Sequence, residues 1–177
     1  EHKLNEFFAD GTDDIGIIVQ GGNYNTLVRS LERLGLADVY GRSKIPLYVM
    51  NVAYPLVPAE VTRFCAGKKA VLLVEEGQPN FIEQNLATVL RQADLQTLLH
   101  GKDFLAPAGE YTGAEVLKGV RAFLEHYGRV APATPPMLPQ ARSAAVTSSD
   151  GTTATARLRP TRPTTWAQIV TSTAGAR

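Results

Sequence analysis

The chain has 177 residues, of which 44% are hydrophobic and 20% charged, and its formal net charge at pH 7 is +1. A charge so near zero argues against a protein held to nucleic acid by many phosphate contacts. The single cysteine, Cys65, rules out an intramolecular disulfide and argues against a cysteine-ligated zinc site or iron–sulfur cluster. No apolar run approaches the ~20 residues of a membrane helix, so we expect a cytoplasmic protein with no membrane partner. The first residue is Glu rather than Met, so we expect a segment of a longer chain.

Composition divides the chain near Gly128. Residues 1–127 contain 12 basic and 16 acidic residues, whereas residues 128–177 contain six arginines and one acid. In the second part, 33 of 50 residues are Ala, Thr, Ser, Pro or Gly, and only Trp166, Ile169 and Val170 offer an apolar anchor. Such a composition buries too little apolar surface to offset the entropy of ordering. We therefore expect an α/β domain at 1–127 and a low-complexity linker or tail at 128–177.

The first part alternates short apolar runs with helical patterns. Continuous apolar runs predict strands, at 15–19, 47–52 and 70–74, with a weaker fourth at 96–99. Apolar residues at helical spacing predict helices, from Tyr24 to Leu34, from Pro58 onward, around Leu86, and after the capping box Thr112–Glu115. Strands without polar alternation are covered on both faces. The order predicts an α/β fold, with a mainly parallel sheet between two layers of helices.

Ligands of open α/β sheets bind beyond the carboxyl ends of the strands. Those ends supply the weak candidates for a cofactor site, which are Gly21, Gly22, Asn23, Glu75, Glu76 and His100. The Gly21-Gly22 turn matches neither dinucleotide nor phosphate-loop motifs, so a tight turn with Asn23 as the helix cap is the main expectation. Glu75 and Glu76 are adjacent on a strand and point to opposite faces, so they do not form a carboxylate pair. One of them is expected to cap the next helix or to face a partner subunit.

The remaining reactive residue types fit no catalytic pattern. Asp10, Asp13 and Asp14 are expected in a solvated turn, His126 at a helix end, and Cys65 as a buried small hydrophobic residue. His2, His100 and His126 lie in no metal-binding frame, and His100 alone is expected near a cleft. The sequence therefore predicts no catalytic residue and no metal site in this chain.

Four segments in the same order resemble the thiamine-diphosphate-dependent 2-oxoacid:ferredoxin oxidoreductases, in particular the indolepyruvate ferredoxin oxidoreductases. They are the strand and turn 17–25, the aromatic-Pro-Leu turn in 51–58, the Val-Glu-Glu-Gly segment in 73–84, and the Gly-Lys loop 101–110. The resemblance implies a transketolase C-terminal-like domain of the large subunit. Its fold would be a three-layer α/β/α sandwich with one antiparallel edge strand.

The same resemblance implies an enzyme whose cofactors are bound outside this domain. In that family a separate module with a Gly-Asp motif holds thiamine diphosphate and Mg²⁺, and downstream cysteines hold iron–sulfur clusters. Asp150-Gly151 lacks the strand that would precede such a motif. The implied reaction is oxidative decarboxylation of an aryl 2-oxoacid to an acyl-CoA, with ferredoxin and coenzyme A as partners and electrons passing to ferredoxin.

Three hypotheses follow for this chain. The first is a noncatalytic structural domain that contacts other domains or subunits of such an oxidoreductase. The second is an autonomous nucleotide- or flavin-binding module that uses the Gly21-Gly22 turn and the loop at His100. The third is a dimerisation module whose helical cover pairs with a second copy.

Overall fold

A computed structural model describes residues 4–8 and 13–132 of the chain. The strands are β1 (Glu6–Phe8), β2 (Ile15–Gln20), β3 (Leu47–Met50), β4 (Ala70–Val74) and β5 (Leu98–His100). The helices are α1 (Tyr24–Arg33), α2 (Pro58–Cys65), α3 (Phe81–Gln92) and α4 (Gly113–His126), and a short 3₁₀ turn, Gly21–Asn23, precedes α1. Within this part of the chain, no helix combines the length and the apolar character needed to cross a bilayer.

The five strands form one sheet in the order β1-β3-β2-β4-β5. The strands β3, β2, β4 and β5 run parallel, with Ile18 between Tyr48 and Leu73, and β1 joins the edge antiparallel to β3. Every residue of β3 and β4 is buried, because helices cover both faces of the sheet. This confirms the predicted α/β class, the mostly parallel sheet and the antiparallel edge strand implied by the resemblance.

The helices form two layers that pack on separate cores. On one face, α1 and α4 pack together over alternate strand residues, including Ile17, Leu47 and Leu72. On the other face, α2 and α3 cover the intervening residues, including Ile18, Tyr48 and Leu73. Successive strand residues point to opposite faces, so each strand contributes to both cores. The result is the predicted three-layer α/β/α sandwich.

Strand β1 does not appear among the strands predicted from apolar runs, because it is three residues long and follows a polar start. Asn5 fixes its position: its amide nitrogen donates to Tyr48 Oη at 3.1 Å and to Glu60 Oε2 at 2.9 Å. The side-chain oxygen of Asn5 accepts a hydrogen bond from the N–H of Val52 at 3.0 Å. A buried amide whose donors and acceptor are satisfied anchors this segment to β3 and α2.

Three local expectations need adjustment. The strand predicted at 47–52 ends at Met50. The fourth predicted strand is found, but it occupies Leu98–His100 rather than 96–99. Asn23 does stand at the cap position of α1, yet its side chain makes no capping hydrogen bond. The predictions for His2, Asp10 and residues 133–177 lie outside the described residues, so the domain boundary at 127/128 stays a prediction.

Candidate functional site

The candidate site lies where the strand order reverses. Starting from β2, the chain adds β3 on one side and then crosses to add β4 on the other. In parallel α/β sheets, the crevice beyond the carboxyl ends of two such strands is the usual ligand site. Here that crevice lies between Gln20 at the end of β2 and Glu75-Glu76 at the end of β4.

Glu76 connects the elements around this crevice. Its carboxylate accepts a hydrogen bond from the main-chain N–H of Tyr111 at 2.9 Å and one from the amide of Asn23 at 3.5 Å. Its own N–H donates to the side-chain oxygen of Gln20 at 3.2 Å. Asn23 is therefore directed toward Glu76 rather than toward the start of α1. These bonds link the ends of β2 and β4 with the loop before α4.

Glu75 points to the opposite face and caps α3. The side chain is 4% exposed. One carboxylate oxygen accepts a hydrogen bond from the N–H of Ile82 at 2.9 Å, and the other accepts one from the N–H of Glu83 at 3.0 Å. The first N–H groups of a helix have no partner within the helix, and a carboxylate there also interacts favourably with the helix dipole. The prediction that one of the two glutamates caps the next helix is confirmed.

Lys102 is a residue of this region that the sequence reasoning did not single out. Its ammonium group donates to the carbonyl oxygen of Glu75, to that of Gly77 at 3.0 Å, and to the Tyr111 hydroxyl at 2.9 Å. Three acceptors satisfy all three donors of an ammonium group. Lys102 therefore joins the turn after β4 to the loop that precedes α4. The available signal was its position two residues after a strand.

The two glycines after β2 play different parts. A Cβ atom added at Gly21 would lie 2.7 Å from the side-chain oxygen of Asn51, so a larger residue does not fit there without a shift. A Cβ atom at Gly22 would meet nothing within 4 Å. Asn51 also donates from its amide to the main-chain oxygen of Leu4 at 2.8 Å. The glycine at position 21 thus permits close packing against Asn51 at the end of β3.

His100 lies apart from the other candidates. In the sheet it pairs with Leu72, three residues before Glu75, a separation of about 10 Å along a strand. Its Nδ1 lies 2.5 Å from a carboxylate oxygen of Asp103, and its Nε2 lies 2.7 Å from the hydroxyl of Tyr127. The ring also contacts other aromatic residues, Phe104, Phe123 and His126. Both ring nitrogens are therefore engaged within an aromatic cluster beside α4.

The surroundings of this cluster shift the pKa values of Asp103 and Tyr127. Burial by itself would raise the pKa of Asp103, but the bonds from His100 and from the N–H of Gly101 outweigh it and lower that pKa. Burial and the negative charge of Asp103 raise the pKa of Tyr127. Asp103 therefore stays ionised, and the Tyr127 phenol stays protonated, over the neutral range. The cluster is a hydrogen-bonded structural unit that joins the end of β5 to the end of α4.

The other reactive residues also have structural surroundings. Cys65 is fully buried, which confirms the prediction of a buried small hydrophobic residue, and burial raises the pKa of its thiol to about 12. Asp13 and Asp14 both form ion pairs with Arg129, and the Asp13 contact measures 2.5 Å. His126 is the last residue of α4, as predicted. Within the described residues, no group of three His, Cys, Asp or Glu side chains is placed to hold a metal ion.

Of the six candidates, the structure brings Asn23 and Glu76 into contact. The other four lie apart from that contact: Glu75 caps α3, Gly21 packs against Asn51, Gly22 has open space beside it, and His100 belongs to the aromatic cluster. Every buried side-chain nitrogen and oxygen atom in the described part of the chain has a hydrogen-bond partner. The polar groups at the crevice serve contacts within the domain.

Comparison with known proteins gives a consistent family. The family model described as the indolepyruvate ferredoxin oxidoreductase middle domain matches residues 5–115. The subunit IorA of indolepyruvate oxidoreductase from Methanothermobacter thermautotrophicus is 34% identical over 103 residues, which is 58% of this chain and 15% of that protein. The subunit IorA from Methanothermobacter marburgensis is 32% identical over 99 residues, 56% of this chain and 14% of that protein. The chain thus spans about one seventh of these relatives.

Among solved structures, a 2-oxoglutarate:ferredoxin oxidoreductase from Magnetococcus marinus aligns with 68% of this chain and 20% of its own chain. The TM-score of that alignment is 0.46, and the sequence identity is 21%.

Proposed function

Because this chain belongs to the family of indolepyruvate ferredoxin oxidoreductase middle domains, we propose that it is a noncatalytic domain of a larger 2-oxoacid oxidoreductase subunit. Its role would be to hold other domains or subunits in place. The relatives it matches are several times longer, so most of such a subunit lies outside this segment. We place the end of the folded domain at residue 127 and treat residues 128–177 as a linker or tail.

One observation carries this proposal: the polar side chains at the strand ends form their hydrogen bonds with other groups of this domain. The Glu75 carboxylate caps α3, Glu76 binds Tyr111 and Asn23, and the Lys102 ammonium group binds two carbonyls and a phenol. A catalytic acid, base or nucleophile acts on a substrate, whereas the recorded hydrogen bonds of these groups hold the loops and helices of the domain together. The crevice at the switch point is therefore better suited to stability than to chemistry.

The cofactors of the complete enzyme belong to the same proposal. The described residues offer no ligand set for Mg²⁺ or an iron–sulfur cluster, so we assign thiamine diphosphate, Mg²⁺ and clusters to other domains. The complete enzyme would oxidise an aryl 2-oxoacid in the cytoplasm, with coenzyme A and ferredoxin as partners. No step of that reaction is assigned to a residue of this chain.

Calorimetric titration of the 177-residue chain with thiamine diphosphate and Mg²⁺ tests the proposal. We expect no heat of binding and no turnover of indolepyruvate. The control is a complete indolepyruvate oxidoreductase under the same conditions, which should bind the cofactor. Micromolar, Mg²⁺-dependent binding by the 177-residue chain would overturn the noncatalytic assignment.

The same sample tests the two other hypotheses. Titration with AMP and with flavin mononucleotide tests an autonomous nucleotide-binding module, and saturable binding of either would favour it. Light scattering over a range of concentrations tests a homodimer, and a constant monomer mass would argue against it.

A further inference from the structure

A pocket lies on the α2–α3 side of the sheet. It has a volume of about 380 Å³ and is lined by residues of the loop after β3 and the first turns of α3, namely Ala53, Tyr54, Leu56, Phe81, Ile82 and Asn85. Five of these six side chains are apolar or aromatic. A pocket of this size and lining holds one aromatic ring with room to spare. Among the hydrogen bonds that Glu75, Glu76 and Lys102 form within the described residues, only the one from the Ile82 N–H to Glu75 involves a residue that lines this pocket.

The rim of this pocket is unusually apolar for a surface. Tyr54 is 86% exposed, Phe81 63% and Val57 41%. No charged residue occurs in 51–59 or in 77–82, whereas 20% of the whole chain is charged. Aromatic enrichment and depletion of charge mark the centre of a protein–protein interface rather than a solvated face.

One polar group in the wall limits what the pocket accepts. The Asn85 amide nitrogen donates to the main-chain oxygen of Phe81 at 2.7 Å, which fixes the orientation of the amide. Its side-chain oxygen makes no hydrogen bond within the described residues and remains an acceptor. An occupant that combines a flat apolar ring with one N–H or O–H donor would satisfy both the lining and this oxygen.

We propose that this pocket receives a tryptophan or tyrosine side chain from another domain of the same oxidoreductase. The inference rests on the proposed function, since it requires the rest of a longer subunit. The matched segment makes up only 15% and 14% of the two IorA subunits, so those relatives contain further polypeptide from which such a side chain could come. The exposed rings of Tyr54 and Phe81 at the pocket fit an aromatic anchor surrounded by apolar contacts, which is the arrangement of interface hot spots.

Indole is the probe for the pocket, and indene, which lacks the N–H, is its matched control. In ¹H–¹⁵N NMR spectra of the 177-residue chain, indole should shift the amides of Ala53, Leu56, Ile82 and Asn85 with millimolar saturation. Indene should bind at the same place roughly five-fold more weakly, which corresponds to one hydrogen bond. Shifts that fail to saturate, or that fall elsewhere on the domain, would overturn the proposal.

Two variants test whether Asn85 and Phe81 contact the bound indole. Asn85→Leu should remove the difference between indole and indene, while Phe81→Ala should weaken both. Tyr40→Ala serves as the matched control, because Tyr40 is 85% exposed at a distant loop and should leave both affinities unchanged. If Asn85→Leu does not fold, Asn85→Asp, which keeps an acceptor oxygen in place, should retain the preference for indole.

Hydroxyl-radical footprinting of the complete subunit asks whether polypeptide covers the pocket. We expect the oxidation rates of Tyr54 and Phe81 to fall at least five-fold relative to the 177-residue chain at equal radical dose. Unchanged rates would overturn the docking proposal. Indole binding with Tyr54 still fully reactive would instead assign the pocket to a free aryl ligand, and would also overturn docking.

These outcomes are separable from the proposed function. Absence of indole binding would refute the docking proposal and would leave the proposal of a noncatalytic role unaffected. Binding of thiamine diphosphate to the 177-residue chain would refute the noncatalytic role, and it would not alter the interpretation of the indole titration.

Discussion

The hydroxyl of Tyr111 accepts a hydrogen bond from the Lys102 ammonium group at 2.9 Å and donates one to the carbonyl of Ala106 at 2.8 Å. Tyr111 is only 5% exposed, and the ammonium group also lies 4.8 Å from the centre of its ring. One phenol thus satisfies a cation and a carbonyl in a loop that has no regular secondary structure. The loop between β5 and α4 is held by this pair rather than by a strand ladder.

Replacing Tyr111 by Phe should destabilise the domain by about 1–2 kcal/mol, because the half-buried Lys102 ammonium group and Ala106 carbonyl would each lose a partner. Urea unfolding should show a lower midpoint with an unchanged dependence on denaturant. Tyr24→Phe is the matched control, since the Tyr24 hydroxyl makes no hydrogen bond within the described residues. Equal midpoints for the two variants would contradict the role given to the Tyr111 hydroxyl.

Replacing Glu75 by Leu should cost about 2 kcal/mol of stability, because the buried N–H groups of Ile82 and Glu83 would lose their acceptor. Glu75→Gln keeps one acceptor oxygen, so the expected loss is about half as large. Chemical denaturation measures both, with Glu32→Gln on an exposed helix surface as the neutral control. If Glu75→Leu proved as stable as the unmodified chain, the carboxylate would not be capping α3 in solution.

Gly119 lies within α4, where alanine is ordinarily favoured by about 1 kcal/mol. Here a Cβ atom would lie 2.4 Å from Leu105 Cδ2 and 2.9 Å from the carbonyl oxygen of Phe104. Gly119→Ala should therefore lower the stability by about 1 kcal/mol or more, since overpacking outweighs helix propensity. Gly113→Ala, at the open first position of the same helix, should be neutral or slightly stabilising. Thermal unfolding of the two variants compares them, and a stabilised Gly119→Ala would refute the tight contact.

The ion pair between Asp13 and Arg129 should make stability depend on pH in the acid range. Burial alone would raise the pKa of Asp13, but the hydrogen bond and charge of Arg129 lower it below its ordinary value. A lowered pKa means that the unfolded state binds the proton more tightly. The stabilisation is therefore present above about pH 4 and is lost as the pH falls through the pKa of the folded state.

A double-mutant cycle with Asp13→Asn and Arg129→Gln isolates this pair. Because the pair is near the surface, its coupling energy should be below about 1 kcal/mol at pH 7, and it should approach zero at about pH 2. Denaturant unfolding at both pH values provides the measurement. A coupling energy that stayed the same in acid would contradict the assignment.

The sequence was informative about the fold because buried parallel strands have a strong local signal. The runs at 15–19 and 70–74 are apolar at every position but Gly16, and β2 and β4 are found there. Strand β1 lacked that signal: Glu6-Phe7-Phe8 is short, and its pairing with β3 depends on the distant contacts of Asn5. The shift of β5 to Leu98–His100 reflects the same dependence of an edge strand on its neighbour.

The candidate site was less predictable because its contacts join loops distant in sequence. Adjacent strand residues point to opposite faces, which separated the roles of Glu75 and Glu76 correctly. Asn23 binds Glu76 instead of capping α1, and Glu76 lies 53 positions further along the chain. The acceptors of Lys102 include two main-chain carbonyls. Every residue has such a carbonyl, so the residue types in the sequence do not reveal these acceptors.

The sheet divides the packing of the two helical layers. Alternate strand residues belong to different cores, so Leu31 and Leu86 share no packing neighbour across the sheet. We therefore expect the stability effects of volume changes at two such positions to add. Evolution can thus remodel the outer contacts of α2 and α3 for a new neighbour while the layer of α1 and α4 keeps its own packing.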